Sequence, residues 1–309
     1  MSELRELVRD YLRVRRALGY KLEREEYFLG QYCGYLDQSG QETVTIESVL
    51  AWATAPNGAA GWHRSRLIAV RSFTRWAHAF NPGIQIPPVE LLPGRSPRAV
   101  PFIYSDEQIR ALLGQTGQMR SPMVAATYRA LIGLLACTGL RVSEAINLDR
   151  ADLESGVLRI VDTKFGKSRL VPLHPSVVEV LADYAQTRDR LLGPVGTDAL
   201  LVSTAGTRLI YKNVHRRFHC MVIQAGIEPK SVRCRPRIHD LRHTFAVTTM
   251  IGAYQDGRNP AEVLPVLSTY LGHGSPGSTY WYLEAVPELL HEAALRVGPL
   301  EPEIGTVPS

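Results

Sequence analysis

The stretch ACTGLRVSEAINL, residues 136–148, sets the frame for everything around it. The apolar run at 122–137 reads as a helix that Gly139 can terminate in a left-handed turn, with a second helix starting near Arg141. That places an arginine at a helix N-terminus, where free backbone N–H groups and the helix dipole already favour an anion. Arg141 therefore suits a phosphate. The competing reading is a surface Arg141 that merely pairs with Glu144, three residues further along the same helix.

A second stretch, RIHDLRHTFA at 237–246, carries His239 and Arg242 three residues apart. On a helix they share a face, so an imidazole and a guanidinium can reach one ligand. This pair sits inside a basic block. Between 208 and 243 lie Arg208, Lys212, Arg216, Arg217, Lys230, Arg233, Arg235, Arg237 and Arg242, opposed within the block only by Glu228 and Asp240. Such one-sign charge makes a field suited to phosphates, and Lys212, Arg216 and Arg217 are candidate DNA contacts. A solvated basic face is the alternative.

Between these two stretches, VLRIVDTKFGKSRLVPL at 157–173 alternates β-branched residues around Phe165-Gly166, a hairpin pattern with Lys164 and Lys167 flanking the turn. ALLVS at 199–203 is expected to add a third strand. Helices are expected at roughly 210–225, 239–252, 260–271, 278–285 and 287–297. Ahead of all this, Ser105 with Gln108 forms a capping box that opens a helix.

Upstream, residues 3–17, 22–37, 45–55 and 60–80 read as four helices. In the last of them Arg64, Arg71 and Arg75 share one face while Leu67, Val70 and Trp76 turn toward a core. That face either lies on a DNA backbone or is simply solvated. Prolines at 82, 87, 88, 93, 97 and 101 exclude a continuing helix. The expected organisation is a helical domain over 1–82, a Pro-rich linker over 83–102, a catalytic-sized domain over 103–298 and a tail over 299–309. The fold class is mainly α with a small β-sheet, an α+β second domain following an all-helical first one.

Near the C-terminus, YLGHGSPGSTYWYLEA at 270–285 places His273 between glycines, then a new short helix bearing Tyr280 and Tyr282. Positions two apart on a helix diverge by about 200°, so at most one tyrosine enters a given site. A phenol of pKa near 10 attacks poorly at pH 7 unless other groups take its proton and stabilise the charge that develops. Arg141, His239, Arg242 and His273 are groups of the required kinds.

Composition excludes several classes. The chain has 309 residues, 45% hydrophobic and 21% charged, with a formal net charge of +5. No apolar run reaches the roughly 20 residues of a membrane helix, and the first twenty residues alternate acids and arginines instead of offering a signal sequence. Cys33, Cys137, Cys220 and Cys234 form no CxxC pair, which fits reduced thiols in the cytoplasm. His215 and His219, at i and i+4, could share a metal, but Cys220 turns to another face, so no metal is expected.

Taken together, TGLRVSEAINL, TKFGKSRLVPL, HDLRHTFA and LGH…STYWY occur in the order that resembles the tyrosine recombinase (phage integrase) family, over most of residues 105–290. The N-terminal region is similar in size and position to that family's core-binding domain. By position Arg141 matches the first catalytic arginine, Lys164 the hairpin lysine, His239 and Arg242 the HxxR pair, and His273 the histidine of LGH. The nucleophile falls nine residues later, on Tyr282. Glu144 matches an acidic position that supports the active site. Phe165 stands where the family often has glycine, which keeps Lys167 in competition with Lys164.

The resemblance implies attack on a scissile phosphate to give a 3′-phosphotyrosine, with no cofactor. It implies double-stranded DNA with inverted half-sites, a dimer per site and a tetramer in synapsis, with related recombinases as further possible partners. The helix at 287–297 would dock on a neighbouring subunit or fold back on its own. A cytoplasmic, nucleoid-associated enzyme of mobile elements is the expected role. A type IB topoisomerase-like relaxase and a non-catalytic DNA-binding accessory protein are the alternatives.

Overall fold

The computed structural model describes residues 2–55, 57–92, 99–161 and 168–272. The chain divides into two compact units, Met1–Arg98 and Ala99–Ser309.

In the first unit four helices, α1 (Ser2–Ala17), α2 (Glu23–Ser39), α3 (Ile46–Thr54) and α4 (Ala60–Ala77), enclose one apolar core. Leu4, Val8, Tyr11 and Leu12 of α1 recur at helical spacing and are buried, as are Leu67 and Val70 of α4. Thr45 and Ser48 cap α3 reciprocally. Arg64 and Arg71 are half-buried and Arg75 is exposed. Arg66 is instead buried, with its guanidinium 3.8 Å above the Trp52 ring and Nη2 donating to the Trp52 carbonyl at 2.8 Å. At the ends of the Pro-rich stretch, Ile84 joins the first core and Phe102 the second.

The second unit begins with α5 (Asp106–Thr116), α6 (Pro122–Thr138) and α7 (Val142–Asn147). Ser105 and Gln108 form the expected capping box, and Gly139 ends α6 with φ 60°. A three-stranded antiparallel sheet follows, β1 (Leu153–Glu154), β2 (Val157–Ile160) and β3 (Arg169–Pro172), in the order β1-β2-β3. The expected hairpin is present, but its register runs from Val157↔Pro172 to Ile160↔Arg169, two residues from the one a Phe165-Gly166 turn would set, in which Ile160 pairs with Val171. Then come α8 (Pro175–Leu192), α9 (Tyr211–Gln224), α10 (Asp240–Gln255) and α11 (Pro260–Leu271). α8 packs on the central helix α6.

Two elements differ from the expectation. Residues 199–203 are not a strand of the sheet; they make only isolated bridges, Asp149↔Ala199 and Val202↔Arg208. The reason lies in burial and partners. Ala199, Leu200, Leu201 and Val202 are all buried instead of alternating, and side chains satisfy much of their backbone. Arg188 donates to the Ala199 and Leu200 carbonyls, Thr127 to the Val202 carbonyl, and the Val202 N–H reaches the Tyr184 hydroxyl. The third strand is β1. Helix α8 went unread, although Pro175 at its first turn and the buried Leu181, Tyr184 and Arg188 at helical spacing mark it. The hairpin turn at 162–167 and the two helices expected after residue 273 lie outside the described residues.

Candidate active site

Four segments converge at the C-terminal end of α11. The end of α6 arrives through Gly139, which has no room for a side chain. A Cβ there would lie 2.6 Å from Phe245 Cδ1 and 2.9 Å from Leu271 Cδ2. This tight turn sets Arg141 as the N-cap of α7, with Glu144 one turn on.

Glu144 is the hub. Its Oε1 accepts from Arg141 Nη1 at 2.6 Å and Arg169 Nη1 at 3.1 Å, and its Oε2 from the Arg141 backbone N–H at 3.0 Å and Arg169 Nη2 at 2.7 Å. The carboxylate is nearly buried. Burial is the largest single influence on its pKa and pushes it up. The Arg169 pair, the Arg141 amide and the Arg141 side chain together outweigh that and hold it at about 2. Glu144 is therefore a fixed negative charge between two cations.

Three guanidiniums then share three consecutive carbonyls. Arg169 Nε donates to Tyr270 O at 2.8 Å, Arg242 Nη2 to Leu271 O at 2.7 Å and Arg141 Nη2 to Gly272 O at 3.0 Å. The last carbonyls of a helix lack intrahelical partners and carry its negative dipole end, so cations are favoured there. Arg242, fully buried in α10, also donates to Gly139 O at 2.8 Å and so ties the end of α6 to the end of α11. Three arginines against one glutamate leave the cluster with a net charge of +2 (3 − 1), matched to an anionic group.

His239 is the N-cap of α10. Its imidazole is pushed down to about 4, first by desolvation and then by Arg242, Arg237 and Arg141, with Glu144 opposing. The residue remains exposed, so solvent softens the shift, but the direction leaves a neutral ring at pH 7 that can accept a proton. The ring stacks edge-on with His243, their centroids 4.9 Å apart. Arg237 fixes the turn before it, donating through Nε and Nη2 to the buried Asp240 at 2.9 and 2.8 Å.

The structure thus brings together Arg141, Glu144, His239 and Arg242. Lys164, Lys167, His273, Tyr280 and Tyr282 lie outside the described residues. The i,i+3 contact of Arg141 with Glu144 exists, and it is part of the cluster instead of an alternative to it. Arg169 was not foreseen. Its one sequence signal is an arginine on a strand that also carries an apolar residue two positions on, the buried Val171. Within the basic block, Arg208 is neutralised by Asp149, a partner distant in sequence, and donates to the Ile146 and Leu148 carbonyls. Lys212, Arg216 and Arg217 are exposed on α9. Arg216 and Arg217 line a cleft of about 880 Å³ with Arg120, Arg208 and Tyr128, and none of the clustered residues lines it. Arg64, Arg71 and Arg75 belong to the first unit. His215, His219 and Cys220 are exposed on α9, whereas Cys234 is buried with its thiol donating to Pro101 O at 3.5 Å.

Among the described residues no helix is long and apolar enough to cross a membrane. The Phage integrase family matches residues 104–288, a span containing every member of the cluster. A Sinorhizobium fredii protein named integrase/recombinase y4rB is 41% identical over 306 residues, covering 96% of this chain and 98% of that one. The tyrosine recombinase XerC of Rhodospirillum centenum is 32% identical over 264 residues, 80% of this chain and 72% of that one. Among solved structures, the Tn1549 transposon integrase in complex with circular intermediate DNA superposes with a TM-score of 0.63 at 17% identity, covering 90% of this chain and 94% of that one. The XerH recombinase bound to its difH substrate gives 0.59 at 22% identity, covering 80% and 70%. The fold, the arginine cluster and these relatives agree: the chain belongs to the phage integrase family and is a site-specific recombinase of the tyrosine type.

Proposed function

We propose that this chain cuts and rejoins double-stranded DNA through a 3′-phosphotyrosine at Tyr282. The observation that carries the reading is the set of guanidiniums, Arg141, Arg169 and Arg242, on three consecutive carbonyls at the end of α11, with Glu144 between Arg141 and Arg169 and His239 within the cluster's electrostatic reach. Residue 273 follows directly in the chain, and Tyr282 lies nine residues beyond it.

In the proposed step the Tyr282 oxygen attacks phosphorus while the bond to the 5′-oxygen breaks. The tyrosine's proton passes to the neutral His239. The leaving 5′-oxygen takes a proton from Lys164, for which Lys167 is the alternative. Arg141 and Arg242 hold the non-bridging oxygens with planar, always-charged forks, and His273 hydrogen-bonds the phosphate. The number of phosphoester bonds is unchanged, so the reverse step joins a new 5′-hydroxyl without an energy source.

DNA would also be contacted by Lys212, Arg216 and Arg217 on α9 and by Arg64, Arg71 and Arg75 on α4, which makes binding strongly salt-dependent. The chain would act as a dimer on inverted half-sites and a tetramer in synapsis; the lambda integrase structures, described as a dimer on a core site and a tetramer on a Holliday junction, support the two oligomers. The role is recombination of a mobile element in the cytoplasm, consistent with the fold shared with a transposon integrase. The helical and catalytic domains would divide near the Pro-rich stretch 83–102. A nicked suicide duplex built from the DNA flanking the gene should trap a covalent adduct with the wild-type chain. Trapping by Tyr282→Phe would defeat the assignment.

A further inference from the structure

We propose that Arg169 is a positioning residue for DNA cleavage, acting through Glu144 on Arg141; this rests on the reaction proposed above. Arg169 cannot readily touch the substrate itself. All three of its guanidinium nitrogens are engaged, two by Glu144 and Nε by Tyr270 O. Of the two arginines that Glu144 holds, Arg141 is the one with N–H groups to spare. Among the described residues its side chain makes one bond to Glu144 and one to Gly272 O, leaving three of an arginine's five N–H groups for a phosphate.

What Arg169 controls is the freedom of the carboxylate. Without it, Glu144 would be held only by the residue it has to orient, and the two could rotate together toward solvent. Bidentate binding from β3 pins both oxygens, so Arg141 hangs from a fixed point. The chain makes room for this bracing at Gly272, where φ is +69° and a Cβ would lie 2.7 Å from Arg169 Nη1. One side chain thus links three parts of the site: β3, the start of α7 and the end of α11.

The test uses the full chain and nicked duplexes whose sequence is first obtained by covalent capture from a randomised pool on the wild-type protein. Arg169→Met should slow single-turnover adduct formation at saturating duplex by about 10²-fold, the scale of a small misplacement of a catalytic group. The duplex Kd should be unchanged, because the defect lies in the chemical step. Arg169→Lys, which keeps the charge and folds more readily, should recover part of the rate. In the double variant with Glu144→Gln, loss of Arg169 should add little, as expected when one residue acts through the other. Wild-type rates in Arg169→Met, a loss confined to Kd, or losses that multiply in the double variant would overturn the proposal. A wild-type chain that captures no duplex would instead overturn the parent reaction, and this role with it.

Discussion

Replacing Glu144 with glutamine tests the hub directly, because the change keeps the shape and removes the charge. The carboxylate accepts four hydrogen bonds, three of them from guanidinium N–H groups. A glutamine can accept with one atom only, and its NH₂ must face a donor while two cations lose the anion between them. The pKa held at about 2 against an ordinary 4.5 corresponds to about 3 kcal/mol of stabilisation at neutral pH. For a unit of this size that is a Tm loss of roughly 6–12 °C.

The sign with pH follows from the depressed value. Glu144 contributes fully above about 4.5, and its contribution is lost as pH falls toward 2. One pH unit below the ordinary value, at pH 3.5, the gap between wild type and Glu144→Gln should have narrowed by about 1 kcal/mol. Urea unfolding followed by circular dichroism at pH 7 and pH 3.5 measures both numbers. A gap below about 1 kcal/mol at pH 7, the level of an exposed pair, or one that widens in acid, would refute the reasoning.

Two further outcomes follow from the same geometry. Gly272→Ala should cost more stability than Gly226→Ala, since both positions have positive φ (+69° and +66°) but only the first Cβ meets a neighbour. The shared left-handed penalty is about 1–2 kcal/mol, so equal Tm shifts in thermal melts would show that Arg169 yields at no cost. His239 should titrate well below 6.5, toward about 4, so its NMR ring resonances should stay at neutral positions from pH 7 to about 5. The folded chain then resists a proton that the unfolded chain accepts, and stability attributable to this residue declines as pH falls from 6.5 toward 4. A midpoint near 6.5 would contradict the electrostatics.

How much was legible in sequence depended on whether the deciding contact was local. The Gly139 turn, the Ser105 capping box and the α10 start at His239 each rest on residues a few positions apart, and each was read from pattern; the β2–β3 hairpin was read too, though not its register. Arg169 was not, because its meaning comes from Glu144 and Tyr270, 25 and 101 residues away. The same holds for residues 199–203, whose β-rich composition suggested a strand, while distant Arg188, Tyr184 and Thr127 side chains supplied the hydrogen bonds a sheet would have given. Arg208 looked like part of a phosphate-binding field until Asp149 and two carbonyls claimed it. Charge runs show which residues could bind an anion; tertiary partners decide which remain available.

The central claim is that this chain forms a covalent bond to DNA through one tyrosine. The wild-type chain should be incubated with a nicked suicide duplex of its own site, the adduct digested, and the peptide carrying the nucleotide sequenced by mass spectrometry. The nucleotide is expected on Tyr282, with Tyr280→Phe still forming the adduct and Tyr282→Phe forming none. A nucleotide on Tyr280 or any other residue, or an adduct that survives Tyr282→Phe, would contradict it.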